Sequence, residues 1–201
     1  MSMIYFSADL HLGHANIIRY TNRPFKSLEE MDETIINNFN ARIKPEDTVF
    51  HVGDFCFRNS PGGKEGEGTT TRAKEYIKRL NCGLVFIVGN HDSSNSLKTP
   101  IESIVLRYGG MRIKLVHDPK YADSSFELNL CGHVHDAWKV KKLSDKSYIY
   151  NVGVDVNKFM PITFDEIMRE INIWKRNNEA NKNKNTANAS GKILIQTNKT
   201  I

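Results

Sequence analysis

The sequence predicts an α/β fold in which two packed, mixed β-sheets are flanked by helices. Strand-like apolar runs alternate with helical patterns in the first half of the chain, whereas the second half contains short strand-like runs joined by short connections. The 201 residues, 39% of them hydrophobic and 25% charged, suffice for one globular domain with a sizeable core and are too few to expect two.

The order of helix and strand patterns in the first half of the chain predicts β-α-β units. Residues 27–30, Ser-Leu-Glu-Glu, form a capping box, and the helix that follows has an apolar face made of Leu28, Met31, Ile35, Phe39 and Ile43. A strand is predicted at residues 49–52, a helix at about residues 72–80 and a strand at residues 84–88. Residues 59–71, rich in Gly, Ser, Thr and charge, predict a mobile loop that either borders a site or simply faces solvent.

Strand signals dominate the second half. Gly109-Gly110 separates apolar runs at residues 104–108 and 111–116, which predicts a β-hairpin. Further strands are predicted at residues 128–131, 137–143 and 148–152. A second capping box at residues 163–166 begins a helix, and we expect the domain to cover residues 1–177. Residues 178–201, rich in Asn and Lys, predict a disordered tail.

Charge, cysteine usage and hydropathy narrow the functional classes. The formal net charge is +5, but residues 1–174 contain 22 basic and 22 acidic residues, so the excess belongs to the tail and argues against a nucleic-acid-binding body. Three scattered cysteines, Cys56, Cys82 and Cys131, argue against a disulfide framework or a Cys-x-x-Cys zinc site. The sequence begins without a signal-peptide pattern and contains no apolar run of membrane length, so we expect a cytoplasmic protein without a membrane partner.

Five short polar clusters come after strand-like runs. They are Asp9-Leu10-His11, Gly53-Asp54, Gly89-Asn90-His91-Asp92, His117 and Gly132-His133-Val134-His135. In open α/β sheets the carboxyl ends of strands are where ligands bind, so we expect the clusters to meet there. They supply carboxylate, amide and imidazole donors and no thiolate, a set that suits divalent Mn, Fe, Co, Ni or Zn.

The order of these clusters resembles the calcineurin-like metallophosphoesterases, whose pattern is D-x-H, G-D, G-N-H-D/E, a lone H and G-H-x-H. The resemblance covers about residues 3–155 and implies a four-layer αββα sandwich with two divalent metal ions. By position, it implies that Asp54 bridges the two ions and that His91 is a catalytic histidine that binds neither. The remaining implied ligands are Asp9, His11 and His135 for the first ion and Asn90, His117 and His133 for the second.

The implied reaction is hydrolysis of a phosphate ester by a hydroxide that the two metals activate, with His91 protonating the leaving group or stabilising charge. We favour phosphodiester substrates, with a nucleotide or a nucleic acid among the options. The alternatives are a phosphomonoesterase acting on nucleotides or proteins and a non-catalytic metal-binding scaffold. Scaffolds of this fold lack part of the ligand set, whereas no ligand position is substituted here. The sequence does not specify the oligomeric state.

Several residues near the polar clusters can each be interpreted in two ways. Arg58 has the spacing of a phosphate-binding arginine in the protein-phosphatase branch, but Phe57 and Asn59 replace the Asp and Gly of that branch. Arg58 is therefore either a substrate ligand or a surface charge. His14 lies outside the pattern, as does His51, and a structural role is the favoured interpretation of both. Asp92 is either a partner of a ligating histidine or a helix N-cap.

Overall fold

The computed structural model describes residues 2–60, 63–92 and 96–196, with side chains described as far as residue 180. The chain divides into two compact units, Met1–Phe164 and Asp165–Ile201. The first unit contains both β-sheets and all of the predicted site residues.

The first sheet has four strands in the order β3-β2-β1-β9. These strands are β1 (Ile4–Ser7), β2 (Thr48–Val52), β3 (Gly83–Ile87) and β9 (Ile162–Thr163). Strands β1, β2 and β3 are parallel, and β9 is antiparallel to β1. The helices between them are α1 (Ala15–Tyr20), α2 (Leu28–Arg42) and α3 (Ala73–Ile77). The predicted β-α-β arrangement of the first half is confirmed, although α3 is shorter than expected.

Helix α2 begins at the predicted capping box. The Ser27 hydroxyl accepts from the backbone N–H of Glu30 at 3.1 Å, and the Glu30 carboxylate accepts from the backbone N–H of Lys26 at 2.7 Å. The predicted face is largely buried, with Met31, Ile35 and Phe39 in the hydrophobic core. Helical spacing of these side chains therefore places α2 against the core, as expected.

The second sheet has five strands in the order β4-β5-β6-β8-β7. The strands are β4 (Ser103–Tyr108), β5 (Met111–Val116), β6 (Leu128–Cys131), β7 (Val140–Lys142) and β8 (Tyr148–Asn151). Strands β4 and β5 form the predicted hairpin, whose two glycines have φ values of 58° and 77°. Strands β5, β6 and β8 are parallel, so both sheets are mixed. The predicted fold class, two mixed sheets flanked by helices, is confirmed.

The second unit, Asp165–Ile201, contains helix α4 (Phe164–Gln196) except for its first residue. The helix begins at the second capping box. Its backbone is helical as far as Gln196, residues 197–201 lie outside the described residues, and the disorder predicted for residues 178–201 stays a prediction. No proline occurs after Pro161 and the first glycine beyond it is Gly191, so neither residue type interrupts the helix in between. Within the described residues, no helix is both long and apolar enough to cross a membrane.

Candidate metal centre

The polar clusters meet where the carboxyl ends of the parallel strands of both sheets come together. Within the first sheet, the Asp9 N–H donates to the Gly53 carbonyl at 3.0 Å. Within the second, the Gly132 N–H donates to the His117 carbonyl at 3.0 Å. The two sheets are joined at this edge, because the His133 N–H lies 3.0 Å from each oxygen of the Asp9 carboxylate. Residues far apart in the chain thus form one centre.

Five of the predicted ligands have left-handed backbone conformations. The φ values lie between 46° and 72° for Asp9, His11, Asp54, His133 and His135. Side chains other than glycine adopt this region rarely, and such residues cluster at functional sites because they cost about 1–3 kcal/mol each. The sharp turns aim successive side chains at the centre as each strand ends.

Two motif glycines are required by close approach. A Cβ on Gly89 would collide with the Asp54 carboxylate, and a Cβ on Gly132 would lie 2.6 Å from Asp9 Oδ2. The glycines that precede Asn90 and His133 therefore let the backbone approach two buried carboxylates. This explains in physical terms why both motifs begin with Gly.

The first group of donors contains Asp9, His11 and His135, which offer ligand atoms within 4.8 Å of one another. His11 Nε2 is buried, has no hydrogen-bond partner among the described residues and lies 3.6 Å from Asp54 Oδ2. Burial lowers the pKa of His11 well below its ordinary value, which keeps the imidazole neutral. A neutral, buried imidazole with an unused lone pair suits a metal ligand.

The second group of donors surrounds His117. Its Nδ1 lies 2.8 Å from the Val52 carbonyl and must carry a proton there, since a carbonyl only accepts. Its Nε2 faces two acceptors, Asn90 Oδ1 at 3.0 Å and Asp54 Oδ2 at 3.3 Å. His133 Nδ1 also lies 2.8 Å from Asn90 Oδ1. Three electron-rich atoms converge in this arrangement, which only a proton or a cation between them can stabilise.

The pKa values of the protein without metal reflect this convergence. Burial lowers the pKa of His117, but the hydrogen bond to Asp54 and the nearby carboxylates outweigh it and raise the value to about 9. Burial likewise raises the pKa of Asp54, yet His117, His11 and the His91 N–H hold it well below its ordinary range. Burial also raises the pKa of Asp9 to about 6. The acceptors that face His117 Nε2 therefore favour positive charge at this position.

Asp54 lies between the two groups and touches both. Its Oδ2 lies 3.6 Å from His11 Nε2 and 3.3 Å from His117 Nε2, and its Oδ1 accepts from the His91 N–H at 3.0 Å. Asp9 also offers a ligand atom to a second set, formed with Asp54 and His117 within 4.8 Å. The structure thus brings all seven predicted ligands together and makes Asp9 a second carboxylate within reach of both groups.

Asp92 holds the backbone of the centre. Its carboxylate accepts from the N–H groups of Asp54 at 2.9 Å, Phe55 at 3.1 Å and Gly89 at 2.8 Å. The described partners of Asp92 are backbone groups of two different strand ends and no histidine, whereas residues 93–95, which a helix N-cap at Asp92 would bond, lie outside the described residues. The carboxylate fixes the loop after β2 against the loop after β3.

Two buried residues that the sequence analysis missed support the first group. Arg23 donates from Nη2 to the Asp9 carbonyl at 2.7 Å and from Nη1 to the Leu10 carbonyl at 2.9 Å. Its Nε also lies 2.8 Å from Asp155 Oδ1, and Asp155 Oδ2 accepts from His135 Nδ1 at 3.0 Å. His135 is therefore oriented with its Nε2 available. The sequence could have indicated Asp155, because this residue closely follows a strand, as the other carboxylates of the site do.

The remaining candidates lie at different distances from the centre. The His91 ring lies 5.5 Å from the His11 ring and belongs to neither donor group. His14 Nδ1 lies 3.5 Å from His11 Nδ1, and its ring stacks on Phe57 at 4.6 Å. His14 is thus close to the centre, and its burial, its contact with His11 and its ring stacking agree with the structural role favoured from the sequence. The role of Arg58 as a phosphate ligand stays a prediction.

His51 and the loop at residues 59–71 complete the surroundings. His51 is fully buried with its ring against Phe55 and Phe86, in agreement with a structural role. The loop forms backbone hydrogen bonds to both sides of His14, from Thr69 N–H to the Gly13 carbonyl and from Ala15 N–H to the Glu67 carbonyl. It therefore borders the centre, whereas its predicted mobility stays a prediction and residues 61–62 lie outside the described residues.

Comparison with known proteins identifies the family. The family model described as calcineurin-like phosphoesterase matches residues 3–193. The chain belongs to the calcineurin-like phosphoesterases. Among its relatives is the uncharacterized protein MJ1445 of Methanocaldococcus jannaschii, 34% identical over 178 residues, which cover 85% of this chain and 92% of that protein. The Gene 66 protein of Mycobacterium phage L5 is 28% identical over 108 residues, or 54% of this chain and 48% of that protein.

A solved structure supports the same fold. The crystal structure of AQ665 from Aquifex aeolicus, a protein of unknown function, matches with a TM-score of 0.62 and 26% identity over 84% of this chain and 99% of that one. Calcineurin-like phosphoesterases are metal-dependent hydrolases of phosphoric esters. The Asp and His groups of this chain are able to bind metal, in agreement with the family.

Proposed function

We propose that this calcineurin-like phosphoesterase hydrolyses phosphodiesters with two divalent cations. The observation that supports the proposal best is the position of Asp54 Oδ2, 3.6 Å from His11 Nε2 in one donor group and 3.3 Å from His117 Nε2 in the other. A carboxylate shared by two sets of donors is the arrangement that a two-metal centre requires.

The proposed ligands follow from the two donor groups. Asp9, His11 and His135 would hold one ion, Asn90, His117 and His133 the other, and Asp54 both. The oxygen and nitrogen donors suit Mn, Fe, Co, Ni or Zn. When bound, such a pair activates water and neutralises the charge of the phosphoryl oxygens.

The chain's own residues supply the proton transfer. His91 is anchored through its backbone N–H to Asp54 Oδ1, and its ring lies beside that of His11. Because it belongs to neither donor group, we assign His91 the protonation of the leaving alkoxide. Phosphodiesters are favoured because Phe57 and Asn59 depart from the protein-phosphatase pattern around Arg58.

The test combines metal loading with two substrates. Metal-free protein is reconstituted with Mn²⁺, Ni²⁺ or Zn²⁺, its metal content is measured, and hydrolysis of bis-p-nitrophenyl phosphate is compared with that of p-nitrophenyl phosphate. We expect two ions per chain and a preference for the diester. Asp54→Asn should lose metal and activity together, whereas the matched change Asp145→Asn, on a side chain that is 94% exposed, should lose neither.

Each contradicting result has a definite meaning. Full metal occupancy without hydrolysis of either substrate would identify a metal-binding scaffold. Faster turnover of the monoester would replace the diesterase proposal by a phosphomonoesterase. Retention of both ions in Asp54→Asn would show that this carboxylate does not hold them.

A further inference from the structure

A cleft of about 570 Å³ opens beside the metal centre, where Asn90 and His117 form part of its wall. Its other walls come from the start of β4, from β5 and from the turn at residues 118–121. The volume lies within the range of roughly 300–1,000 Å³ that is usual for small-molecule sites. The cleft therefore has room for an organic group that extends from a phosphorus atom at Asn90 and His117.

Tyr121 provides an exposed aromatic ring on a fixed turn. Its side chain is 59% exposed, and Lys120 Nζ lies 4.7 Å from the ring centroid. The turn is fixed by Pro119 and by Asp118, whose carboxylate accepts from the Lys120 N–H at 2.9 Å. Lys114 Nζ donates to the Tyr121 carbonyl at 2.8 Å and ties the turn to β5. A held aromatic ring of this kind is what proteins use to stack a nucleobase.

The charges along the cleft indicate an uncharged ligand group. Lys114 and Lys120 are balanced by Glu102 and Asp118, and Lys120 Nζ lies only 2.6 Å from Asp118 Oδ2. A second phosphate would therefore gain little in the cleft. The Ser103 hydroxyl and the Glu102 carboxylate offer hydrogen bonds to neutral hydroxyl groups instead. An aromatic ring with nearby neutral hydrogen-bonding groups matches a nucleoside.

We propose that one ester group of the substrate is a nucleoside, whose base stacks on Tyr121 while the phosphorus lies at Asn90 and His117. The inference rests on the proposed phosphodiesterase function and adds the class of substrate. The volume of the cleft suits a single nucleoside, so a mononucleotide ester is the substrate rather than a nucleic acid chain.

The test compares two esters that share a leaving group and a charge. These are thymidine 5′-(p-nitrophenyl phosphate) and ethyl p-nitrophenyl phosphate, which differ only in the nucleoside. Tyr121→Ala should raise KM for the thymidine ester about 5- to 150-fold, the range for loss of one base stack, and should change KM for the ethyl ester far less. Tyr121→Phe should behave as the wild type. Tyr108→Ala, a tyrosine outside the cleft, serves as the matched control.

Binding without turnover gives a second measurement. Calorimetric titration of the metal-loaded protein with thymidine 5′-monophosphate should show a loss of affinity in Tyr121→Ala by the same factor. Equal effects on both esters, or none, would refute the inference. If oligothymidylate binds more than tenfold tighter than thymidine 5′-monophosphate, with a steep salt dependence, the cleft would be a nucleic-acid site instead. Failure of the wild type to hydrolyse either ester would overturn the proposed function. Nucleotide binding that depends on Tyr121 would, even then, support the cleft as a nucleoside-binding site.

Discussion

Replacing Asp155 with Asn isolates the contribution of the buried ion pair behind His135. The Asp155 carboxylate bonds to Arg23 through Nε at 2.8 Å and Nη2 at 3.0 Å, and it accepts from His135 Nδ1 at 3.0 Å. The Asp155 side chain is only 3% exposed, so water does not replace either partner. An amide keeps the shape of the side chain but removes its negative charge.

The structure sets the expected magnitude. Burial raises the pKa of Asp155, but the hydrogen bond from His135 and the charge of Arg23 outweigh it and lower the value from 3.8 to about 2. This difference corresponds to roughly 2 kcal/mol in favour of the carboxylate. Losing the charge leaves the Arg23 guanidinium buried without a counterion, which costs about 3–5 kcal/mol. Outer partners of ligating histidines typically contribute about 10- to 100-fold to metal affinity.

We therefore expect Asp155→Asn to lower the free energy of unfolding by roughly 3 kcal/mol and to weaken metal binding by at least about tenfold. Urea unfolding of the metal-free protein measures the first quantity, and competition with a metallochromic chelator measures the second. Asp145→Asn is the control and should change stability by less than about 0.5 kcal/mol. Wild-type stability together with wild-type affinity in Asp155→Asn would refute the proposed coupling through Arg23 and His135.

Two further changes test separate parts of the centre. His91→Ala should keep both metals and lose about 10²- to 10⁴-fold in turnover, with a smaller loss for nitrophenolate leaving groups than for alkoxides. Metal analysis and assays with the two kinds of substrate test this prediction, and loss of metal in His91→Ala would show that His91 is a ligand. Asp32 has a pKa raised to about 6 by burial, despite bonds from Gly13 and Tyr76 that lower it. The native state therefore holds this proton more tightly than the unfolded chain, and Asp32 contributes stability that grows as the pH falls from about 6 to 4. Asp32→Asn should remove this contribution, so the free energy of unfolding in urea should fall more steeply, or rise less, over this pH range than in the wild type. Identical pH profiles of the two proteins would contradict the prediction.

The location of the centre was predictable because it depends on strand direction. Asp9, Asp54 and Asn90 each follow a strand of the first sheet, and parallel pairing of those strands brings their carboxyl ends to one edge. Alternating helices and strands predicted this parallel arrangement without knowledge of any contact. His117 and His133 were likewise expected after strands, but the parallel pairing of those strands, β5 and β6, was not predicted.

The partners of these ligands were not predictable in the same way. Arg23 and Asp155 are 132 residues apart, and their contact depends on how the chain returns from β8 beside β1. Asp92 was assigned to a histidine or to a helix end, but its bonds go to backbone groups 37 and 38 residues away. Sequence patterns identify which side chains follow a strand. The partners of buried polar groups depend instead on which segments of the chain meet in the tertiary structure. For residues 178–196, the few apolar residues give no helical period, so the sequence pattern does not predict the backbone conformation there.

The metal-free centre is held together at a cost that bound cations should offset. The left-handed residues cost about 1–3 kcal/mol each, and two acceptors, Asn90 Oδ1 and Asp54 Oδ2, face His117 Nε2 at 3.0 and 3.3 Å. Cations that bind the folded centre and not the unfolded chain stabilise by about 2.7 kcal/mol at a concentration one hundred times Kd. We therefore expect Mn²⁺ or Zn²⁺ to shift the urea transition upward in the wild type and much less in Asp54→Asn. An equal shift in both proteins would mean that the stabilising ions bind elsewhere.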